Sequence, residues 1–375
     1  MTRPDPVARF ADLEELRPRR DEWRRLANDA LEANPFYGPD LMIPALEAGI
    51  AGTPTRLLIV EQNGSLRGLF PLQRPFFKDG AMSLGWMLYR DPLTCLTVPL
   101  LTRDGAEATL AAALDRLATS NGPPALVFPL LPENKPFAAL LTRLATHRLS
   151  LMRTLQSWER PAIARGSVMD ERSRSSIEKK RRKLEKVGPV SLLRMMSGNP
   201  GLPGLLADFL DIEAASWKGQ GGTAIRNVPV LESVFRALAA ELAPAPTLLI
   251  EALMVGERPC AINLNIVADA TVYTVKSTYH PDFASHSPGR LLDALAFHLV
   301  EDDSAFRHVD SCAGPGHPLA SLWPDREDIT SLALALRPMG RLNIAAMGYG
   351  KKLSDSVRRW RYRETYTTRR TKRAV

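Results

Sequence analysis

The stretch that most constrains the fold of this chain lies between residues 247 and 326, where strand patterns follow one another closely. Apolar and β-branched residues predict strands at 248–255, 260–267 and 271–278, each separated by a short turn. Ser287-Pro288-Gly289 then opens a helix with apolar residues at helical spacing, and a further strand ends at Asp310. This order of strands, helix and strand predicts a mixed α/β domain with polar residues collected where its strands end.

The rest of the chain predicts the same fold class. A hairpin is expected from Arg56 to Leu72, because Asn63-Gly64 suits a type I′ turn. Further strands are predicted at 125–131, 149–158, 190–196, 307–310 and 329–336, and helices at 105–119, 135–147, 165–187, 203–216, 228–242 and 289–301. The N-terminal half repeats the order of elements in the C-terminal half less clearly, which favours a structural duplication.

Length and composition are those of a globular protein with two domains of ordinary size. The chain has 375 residues, of which 45% are hydrophobic and 24% charged. Its three cysteines are not spaced as metal ligands, so neither a disulfide framework nor a zinc site is predicted, and no metal cofactor is expected. The N-terminus shows no apolar signal region, and no apolar run approaches the roughly 20 residues that span a bilayer. A cytoplasmic location is therefore expected.

The basic charge belongs to the C-terminal tail. Residues 351–375 hold ten Lys and Arg residues against Asp355 and Glu364, which accounts for the whole formal net charge of +8. Aromatic residues such as Trp360 and Tyr362 alternate with these cations. The tail is consistent with contact to RNA or to an anionic membrane surface, or with a solvated chain end.

The helix start at Ser287 is the best ligand signal that physics alone provides. Free backbone N–H groups and the positive end of a helix dipole bind phosphate, Gly289 allows close approach, and Arg290 adds charge. An ordinary helix entry through Pro and Gly is the simpler interpretation.

Several other polar residues are candidates for chemistry. Asp310 and His317 follow a buried strand, where His317 could act as general base and Asp310 could orient it or take the proton itself. Lys276 and Tyr279 end a strand, and Trp217-Lys218 precede a glycine-rich loop that could hold an acceptor. Cys312 could act as a nucleophile, although a single cysteine is more often a small buried apolar residue. In the simpler interpretation Tyr279 is a half-buried strand aromatic, Lys276 is a solvated charge, and Trp217 packs at a helix C-cap.

Three segments resemble a known family. They are the segments at 216–225, which begins Ser-Trp-Lys-Gly-Gln-Gly-Gly, at 276–292, which begins Lys-Ser-Thr-Tyr-His-Pro, and at 310–326, which begins Asp-Ser-Cys-Ala-Gly-Pro-Gly-His. All three are similar to the GNAT-like acetyltransferases of the cellulose biosynthesis protein CelD family. That family is related to the FemAB aminoacyl transferases, whose chains carry two GNAT-like domains. The segments at 33–46 and 56–72 also match its usual opening.

The resemblance implies tandem GNAT-like domains at 1–160 and 161–340, each with a mixed, mostly antiparallel sheet flanked by helices, and then a basic tail at 341–375. It implies acetyl-CoA or another acyl-CoA as co-substrate, with Ser287, Gly289, Arg290 and Leu291 at the pyrophosphate. Tyr279, Asp310 and His317 would transfer protons, and Trp217, Lys218 and Lys276 would bind the acceptor. Direct transfer needs no covalent intermediate, so Cys312 is not required.

The function implied is acyl transfer to a sugar, an amino sugar or an envelope or polysaccharide precursor, in a protein that is cytoplasmic or peripheral at the inner membrane surface. Two alternatives stay open. One is an aminoacyl-tRNA-dependent transferase of the FemAB kind, with RNA contacts from the charged helix at 178–186 and the tail. The other is a non-catalytic module of a polysaccharide-synthesis complex.

Overall fold

The computed structural model describes residues 4–74, 77–78, 81–82, 85–216, 219, 224–227, 229–240, 247–301 and 305–347. Its helices are α1 Leu13–Leu16, α2 Arg20–Asn28, α3 Pro39–Glu47, α4 Ala106–Thr119, α5 Pro136–His147, α6 Glu171–Glu185, α7 Leu202–Ala215, α8 Pro229–Ala240, α9 Pro288–Leu295 and α10 Phe297–Glu301. Its strands are β1 Val7–Ala11, β2 Thr55–Gln62, β3 Ser65–Gln73, β4 Phe77–Lys78, β5 Ala81–Met82, β6 Trp86–Leu88, β7 Leu100–Leu101, β8 Ala125–Pro132, β9 Met152–Ala164, β10 Val190–Met196, β11 Thr247–Val255, β12 Arg258–Ala268, β13 Thr271–Tyr279, β14 His308–Asp310 and β15 Asp325–Ala335.

One large mixed sheet runs through the described part of the molecule. Its strand order is β1-β2-β3-β6-β8-β15-β9-β14-β13-β12-β11-β10, with β7 beside β3. Two neighbouring pairs are parallel, β6 with β8 and β13 with β14, and the other pairs are antiparallel. The predicted fold class, a mixed and mostly antiparallel sheet flanked by helices, is confirmed.

The two parallel pairs occur in the same local arrangement. A helix connects the strands of each pair, α4 between β6 and β8 and α9 between β13 and β14, as parallel neighbours require. Each parallel pair has an antiparallel strand as its next neighbour in the sheet. In both cases this neighbour comes from the other half of the chain. The late strand β15 pairs with β8, and the earlier strand β9 pairs with β14. Each half of the sheet is therefore completed by a strand from the other half.

Several local predictions can be compared with the structure. The hairpin turn has positive φ at both Asn63 and Gly64, as a type I′ turn requires. The helix predicted at 289–301 is two helices that meet at Ala296, and the Trp323 indole N–H donates to the Asp293 carbonyl at 2.9 Å near this junction. Strand β9 continues to Ala164, so the predicted domain boundary at 160 and 161 falls inside a strand.

The two faces of the second half of the sheet are covered differently. On one face, Tyr273, Leu264 and Ile266 join a large core with α7 and α8 that continues into the N-terminal half. On the other face, Val272 packs with α10, and α6 and α9 pack over Cys260 and Ala261. Since Val272 and Tyr273 are consecutive in β13, they point to opposite faces. These two faces hold the two parts of the candidate site.

Candidate functional site

The parallel strands β13 and β14 separate near the middle of the sheet. They pair at only three positions, and the last is Tyr273 with Asp310. Strand β13 continues to Tyr279 with a register shift opposite Leu264 and Asn265, while the chain after Asp310 leaves the sheet. The described residues therefore contain an opening between two diverging strands.

The start of α9 presents an anion site on one face of the sheet. Pro288 has no N–H, and the Leu291 N–H bonds to the Ser287 carbonyl, so within the described residues the Gly289 and Arg290 amides have no acceptor. Lys180 donates to Ser287 Oγ at 3.1 Å, and the Arg290 guanidinium donates to Ser321 Oγ at 3.2 Å. Two amides, a helix dipole and two cations thus meet at one point, the arrangement that binds phosphate.

A cleft lies on the other face, between the N-terminal helices and the strand ends of the second half. We call it the Glu32 cleft, and its volume is about 610 Å³. Charged and polar residues from both halves of the chain line it, among them Arg24, Glu32, Asp40, Arg103, Lys135, Tyr273, His308, Asp310 and Glu327. The face alternation of β13 puts Tyr273 in this cleft, opposite the α9 face.

Glu32 is the carboxyl group in the cleft best suited to act as a base. Burial raises its pKa from 4.5 to about 7, and the nearby Glu327 carboxylate adds to the rise. The Phe137 N–H donates to Glu32 Oε2 at 3.2 Å and fixes that side chain. A carboxyl group with a pKa near 7 can accept and return protons at neutral pH.

Tyr273 is a protonated hydroxyl in the same cleft. Burial and the negative charges of Asp310, Glu32 and Glu327 raise its pKa well above the ordinary value. Its ring packs edge-on against Phe36, with ring centroids 5.6 Å apart. The hydroxyl therefore stays protonated at neutral pH and can donate a proton.

A second polar group borders Glu32. His308 Nε2 lies 3.2 Å from Glu327 Oε1, and Lys135 Nζ donates to the same oxygen at 3.3 Å. Burial alone would raise the pKa of Glu327, but the bonds and charges of His308 and Lys135 outweigh it and hold that pKa below its ordinary value. Glu327 is thus an anion next to Glu32, and this favours the protonated form of Glu32.

Asp310 joins the two halves of the chain at the point where the strands separate. Its Oδ2 forms a buried ion pair with Arg160 Nη1 at 3.0 Å, and its Oδ1 accepts the Cys312 N–H at 2.7 Å. Arg160 also donates to the Cys95 carbonyl at 3.0 Å. Both carboxylate oxygens are engaged, so this geometry suits Asp310 to hold the site together.

The structure distributes the sequence-predicted site residues over both faces. Asp310 lies in the Glu32 cleft, and Lys276 pairs with Leu264, whose side chain lies on the cleft side of the sheet. Ser287, Gly289, Arg290, the buried Leu291 and Tyr279 lie together on the α9 face, where an ideal Gly289 Cβ would be 3.6 Å from Tyr279 Cδ1.

The remaining predicted residues lie elsewhere. His317 is exposed, and its Nδ1 accepts the Leu319 N–H at 3.3 Å at the start of a short 3-10 helix. Trp217 and Lys218 lie outside the described residues. Burial raises the pKa of the Cys312 thiol well above its ordinary value, and a protonated thiol is a poor nucleophile.

Sequence reasoning missed Glu32, Lys135, Tyr273, His308 and Glu327. They come from five separate segments and form no local motif, so only the strand pairing brings them together. The sequence contained one partial signal for Tyr273, because this tyrosine lies inside the predicted strand that precedes the predicted ligand site at Ser287. Among the described residues there is no His, Cys, Asp and Glu cluster that could hold a metal ion, and no helix long and apolar enough to cross a membrane.

A splayed parallel pair with a phosphate-binding helix start is the central feature of the GNAT acyltransferase fold. Residues 171–317 match the family model described as an acetyltransferase (GNAT) domain. This segment of the chain is therefore similar to a GNAT acetyltransferase domain. A comparison with curated proteins finds no match.

Solved structures of similar fold cover most of the chain. FemX has a TM-score of 0.54 at 10% identity, over 90% of this chain and 100% of its own. A conserved protein of unknown function from Bacteroides thetaiotaomicron has a TM-score of 0.54 at 9% identity, over 88% and 100%. The C-terminal domain of a protein assigned as a lysylphosphatidylglycerol synthetase from Agrobacterium fabrum has a TM-score of 0.53 at 10% identity, over 87% and 96%. At these identities the likeness shows the fold alone.

Proposed function

We propose that this protein is an acyltransferase that moves an acyl group from a phosphopantetheine thioester, such as acetyl-CoA or a longer acyl-CoA, to an amine or hydroxyl acceptor. The donor enters from the α9 face with its phosphate on the Gly289 and Arg290 amides. The acceptor occupies the Glu32 cleft on the other face. The thioester reaches the acceptor through the opening between β13 and β14.

This proposal rests mainly on one observation: the opening between β13 and β14 lies between the anion site on the α9 face and the Glu32 cleft on the other face. Strand pairing ends at Tyr273 and Asp310. On the α9 face, a helix start with two free amides and two cations lies beside Tyr279, farther along β13. The opposite face has a cleft with a carboxyl group of pKa about 7. A donor with a phosphate handle and an acceptor that must lose a proton need these two environments.

The residues of the cleft suit direct transfer. Glu32 takes the proton from the acceptor nitrogen or oxygen as that atom attacks the thioester carbonyl carbon. The C–S bond then breaks, and the Tyr273 hydroxyl protonates the leaving thiolate. Afterwards Glu32 releases its proton to solvent, and Tyr273 takes up a proton from solvent, so both groups return to their starting states. Asp310 is a positioning residue in this scheme, because Arg160 and the Cys312 amide hold both of its oxygens.

The lining of the cleft favours a polar acceptor. Asp40 anchors Arg24 at 2.6 Å, and Arg103 and Lys135 add further donors beside the alanine, leucine and proline residues that also line the space. Hydroxyl and amine groups of a sugar, an amino sugar or an envelope or polysaccharide precursor suit such a lining. This acceptor class, a cytoplasmic location and peripheral membrane contact through the tail are parts of the proposal.

Calorimetric titration with acetyl-CoA tests the donor half. We expect micromolar binding to the wild-type protein with one site per chain. A flat titration at high micromolar ligand would contradict a thioester donor of this kind. Release of free CoA thiol in the presence of a panel of amines and amino sugars then tests the transfer.

A further inference from the structure

Helix α6 beside the anion site carries its charges in two separate flanks. Its acidic residues, Glu171, Glu178 and Glu185, lie seven residues apart on one flank, where they pair with Arg174, Arg182 and Arg181. The other flank holds Arg172, Lys179, Lys183 and Lys186, and in the described chain none of these four pairs with a carboxylate. We call these four residues the α6 cationic flank. All four are exposed.

The position of α6 is fixed next to the start of α9. Leu184 and Ile177 pack against the core that holds Leu291 and Leu292, and Lys180 donates to Ser287 Oγ. Lys183 is one helical turn beyond Lys180. The cationic flank extends from Arg172 to Lys186, which is about 21 Å at 1.5 Å per residue. A long positive surface thus borders the place where the donor's phosphate is proposed to bind.

The side chains of α6 argue against a membrane surface and against single-stranded nucleic acid as the partner of the α6 cationic flank. A membrane-bound helix inserts an apolar face, but the apolar residues of α6 are used against the core. Proteins that bind single-stranded nucleic acid usually stack bases on aromatic side chains, and residues 166–189 include none. A straight row of cations with spacing of seven residues, Arg172, Lys179 and Lys186, instead fits the acidic side of another helix.

The small size of the anion site points to the same partner. Pro288 and the bonded Leu291 amide leave two backbone donors, which suit one phosphate group. CoA carries a diphosphate and a third phosphate, whereas a phosphopantetheine arm on a carrier protein has a single phosphodiester. That arm would place the acidic surface of its carrier directly over the neighbouring helix.

We infer that the acyl donor is delivered on a small acidic carrier protein, as a thioester of its phosphopantetheine arm, and that this carrier docks on the α6 cationic flank. The inference rests on the proposed function, since it names the donor for that same site. Free acyl-CoA remains a weaker donor, because it uses the anion site without the flank.

A charge-reversal pair tests the docking surface. Lys179→Glu combined with Lys183→Glu reverses the flank, and Arg174→Glu combined with Arg181→Glu makes the same change in net charge on the opposite side of α6. The probe is an acyl carrier protein loaded with acetyl-phosphopantetheine, and its affinity is measured by calorimetry. We expect the first variant to bind about tenfold more weakly than wild type, and the control to stay within about twofold. Acetyl-CoA affinity should change much less than carrier affinity, and thermal unfolding should show that both variants are folded.

Each outcome separates this inference from the proposed function. Equal loss in both variants, or acetyl-CoA binding without carrier binding in the wild type, overturns the carrier inference alone. Binding of a tRNA mixture that is lost in the Lys179 and Lys183 variant, with no carrier binding, overturns it in favour of nucleic acid. Absence of binding by both acetyl-CoA and the loaded carrier overturns the proposed function itself.

Discussion

The two parallel strand pairs of the sheet share one arrangement but differ in what occupies the opening beside them. Next to β8 the chain fills the space itself: the Thr97 N–H donates to the Leu130 carbonyl, and the Leu130 N–H donates to Thr97 Oγ1, both at 2.9 Å. Next to β14 no described strand continues the pairing after Asp310. The first opening is therefore closed by protein, and the second is available to a ligand.

The N-termini of the two connecting helices, α4 and α9, differ in charge. Helix α4 has Glu107 in its first turn, and Asp104 precedes it, so negative charge already occupies the positive end of the dipole. Helix α9 has no acidic residue in its first turn, and Arg290 and Lys180 stand there instead. The comparison teaches that one arrangement can serve as structure or as a binding site, depending on a few residues at the opening.

The largest effect is expected at the end of the open pair. Asp310→Asn leaves the buried Arg160 guanidinium without its counter-charge, and loss of one partner of such a pair costs about 3 kcal/mol of unfolding free energy. Urea unfolding measures it. Asp328→Asn is the matched control, since Asp328 is exposed and, in the described chain, its carboxylate accepts a bond only from Asn134. Equal stability of the two variants would remove the proposed positioning role of Asp310.

Glu32→Gln is expected to lower kcat/KM by about 100-fold or more, because general base catalysis contributes at least that factor. Wild-type activity should rise with pH through about 7, where Glu32 loses its proton, and the variant should lack this rise. Glu107→Gln, at an exposed ion pair, is the control. An unchanged pH profile in Glu32→Gln would assign the base elsewhere.

The same carboxyl group gives a stability readout that needs no acceptor. The folded pKa of about 7 exceeds the ordinary 4.5, so folded Glu32 keeps a proton that the unfolded chain releases. Its contribution is therefore fully present below pH 4.5 and is lost as pH rises through 7. Glu32→Gln should gain about 2 kcal/mol relative to wild type between pH 5 and pH 8. A constant difference across this range would contradict the raised pKa.

A smaller effect is expected at the closed pair. Thr97→Val leaves the buried Leu130 N–H without an acceptor, at a cost of about 1–2 kcal/mol in unfolding free energy. Thr97→Ser keeps the hydroxyl and serves as the control. Acetyl-CoA affinity should not change in either variant. Weaker acetyl-CoA binding in Thr97→Val would show that the first pair also takes part in donor binding.

The smallest effect concerns a cation at the open helix start. Lys180→Met removes one charge near the phosphate, which corresponds to roughly threefold to fivefold weaker acetyl-CoA binding. Arg182→Met removes a charge from the opposite flank of α6, where it pairs with Glu178, and should leave that affinity unchanged. Calorimetry compares the two variants, and equal affinities would exclude Lys180 from the anion site.

Local patterns in the sequence predicted most of the fold. Strand β10 was predicted with its observed ends, and β13 to within one residue, because periodicity and turn residues act over short distances. The exchange of β9 and β15 between the two halves was not predictable from such patterns. It depends on pairing between segments far apart in the chain. The domain boundary was predicted at residue 160 because local patterns treat each half of the chain separately.

The two parts of the candidate site differed in the same way. The candidate site at the start of α9 could be predicted from the sequence, because Ser287 to Leu291 are contiguous and the backbone amides of a helix start bind anions. The Glu32 cleft could not be read, since the pKa of Glu32 depends on burial by elements from both halves. Trp217 and Lys218 stay predictions, as do the roles suggested for Tyr279 and His317.

The most direct test of donor binding at the open pair is the acetyl-CoA affinity of two Gly289 variants. Gly289→Glu puts an acidic side chain at the second helical position, where α4 has Glu107, and makes the open helix start resemble the closed one. Gly289→Ala is the control, because an added Cβ meets only Tyr279 Cδ1 at 3.6 Å, an ordinary contact. We predict that Gly289→Glu weakens binding by about tenfold or more and that Gly289→Ala stays close to wild type. Wild-type affinity in Gly289→Glu would contradict the account.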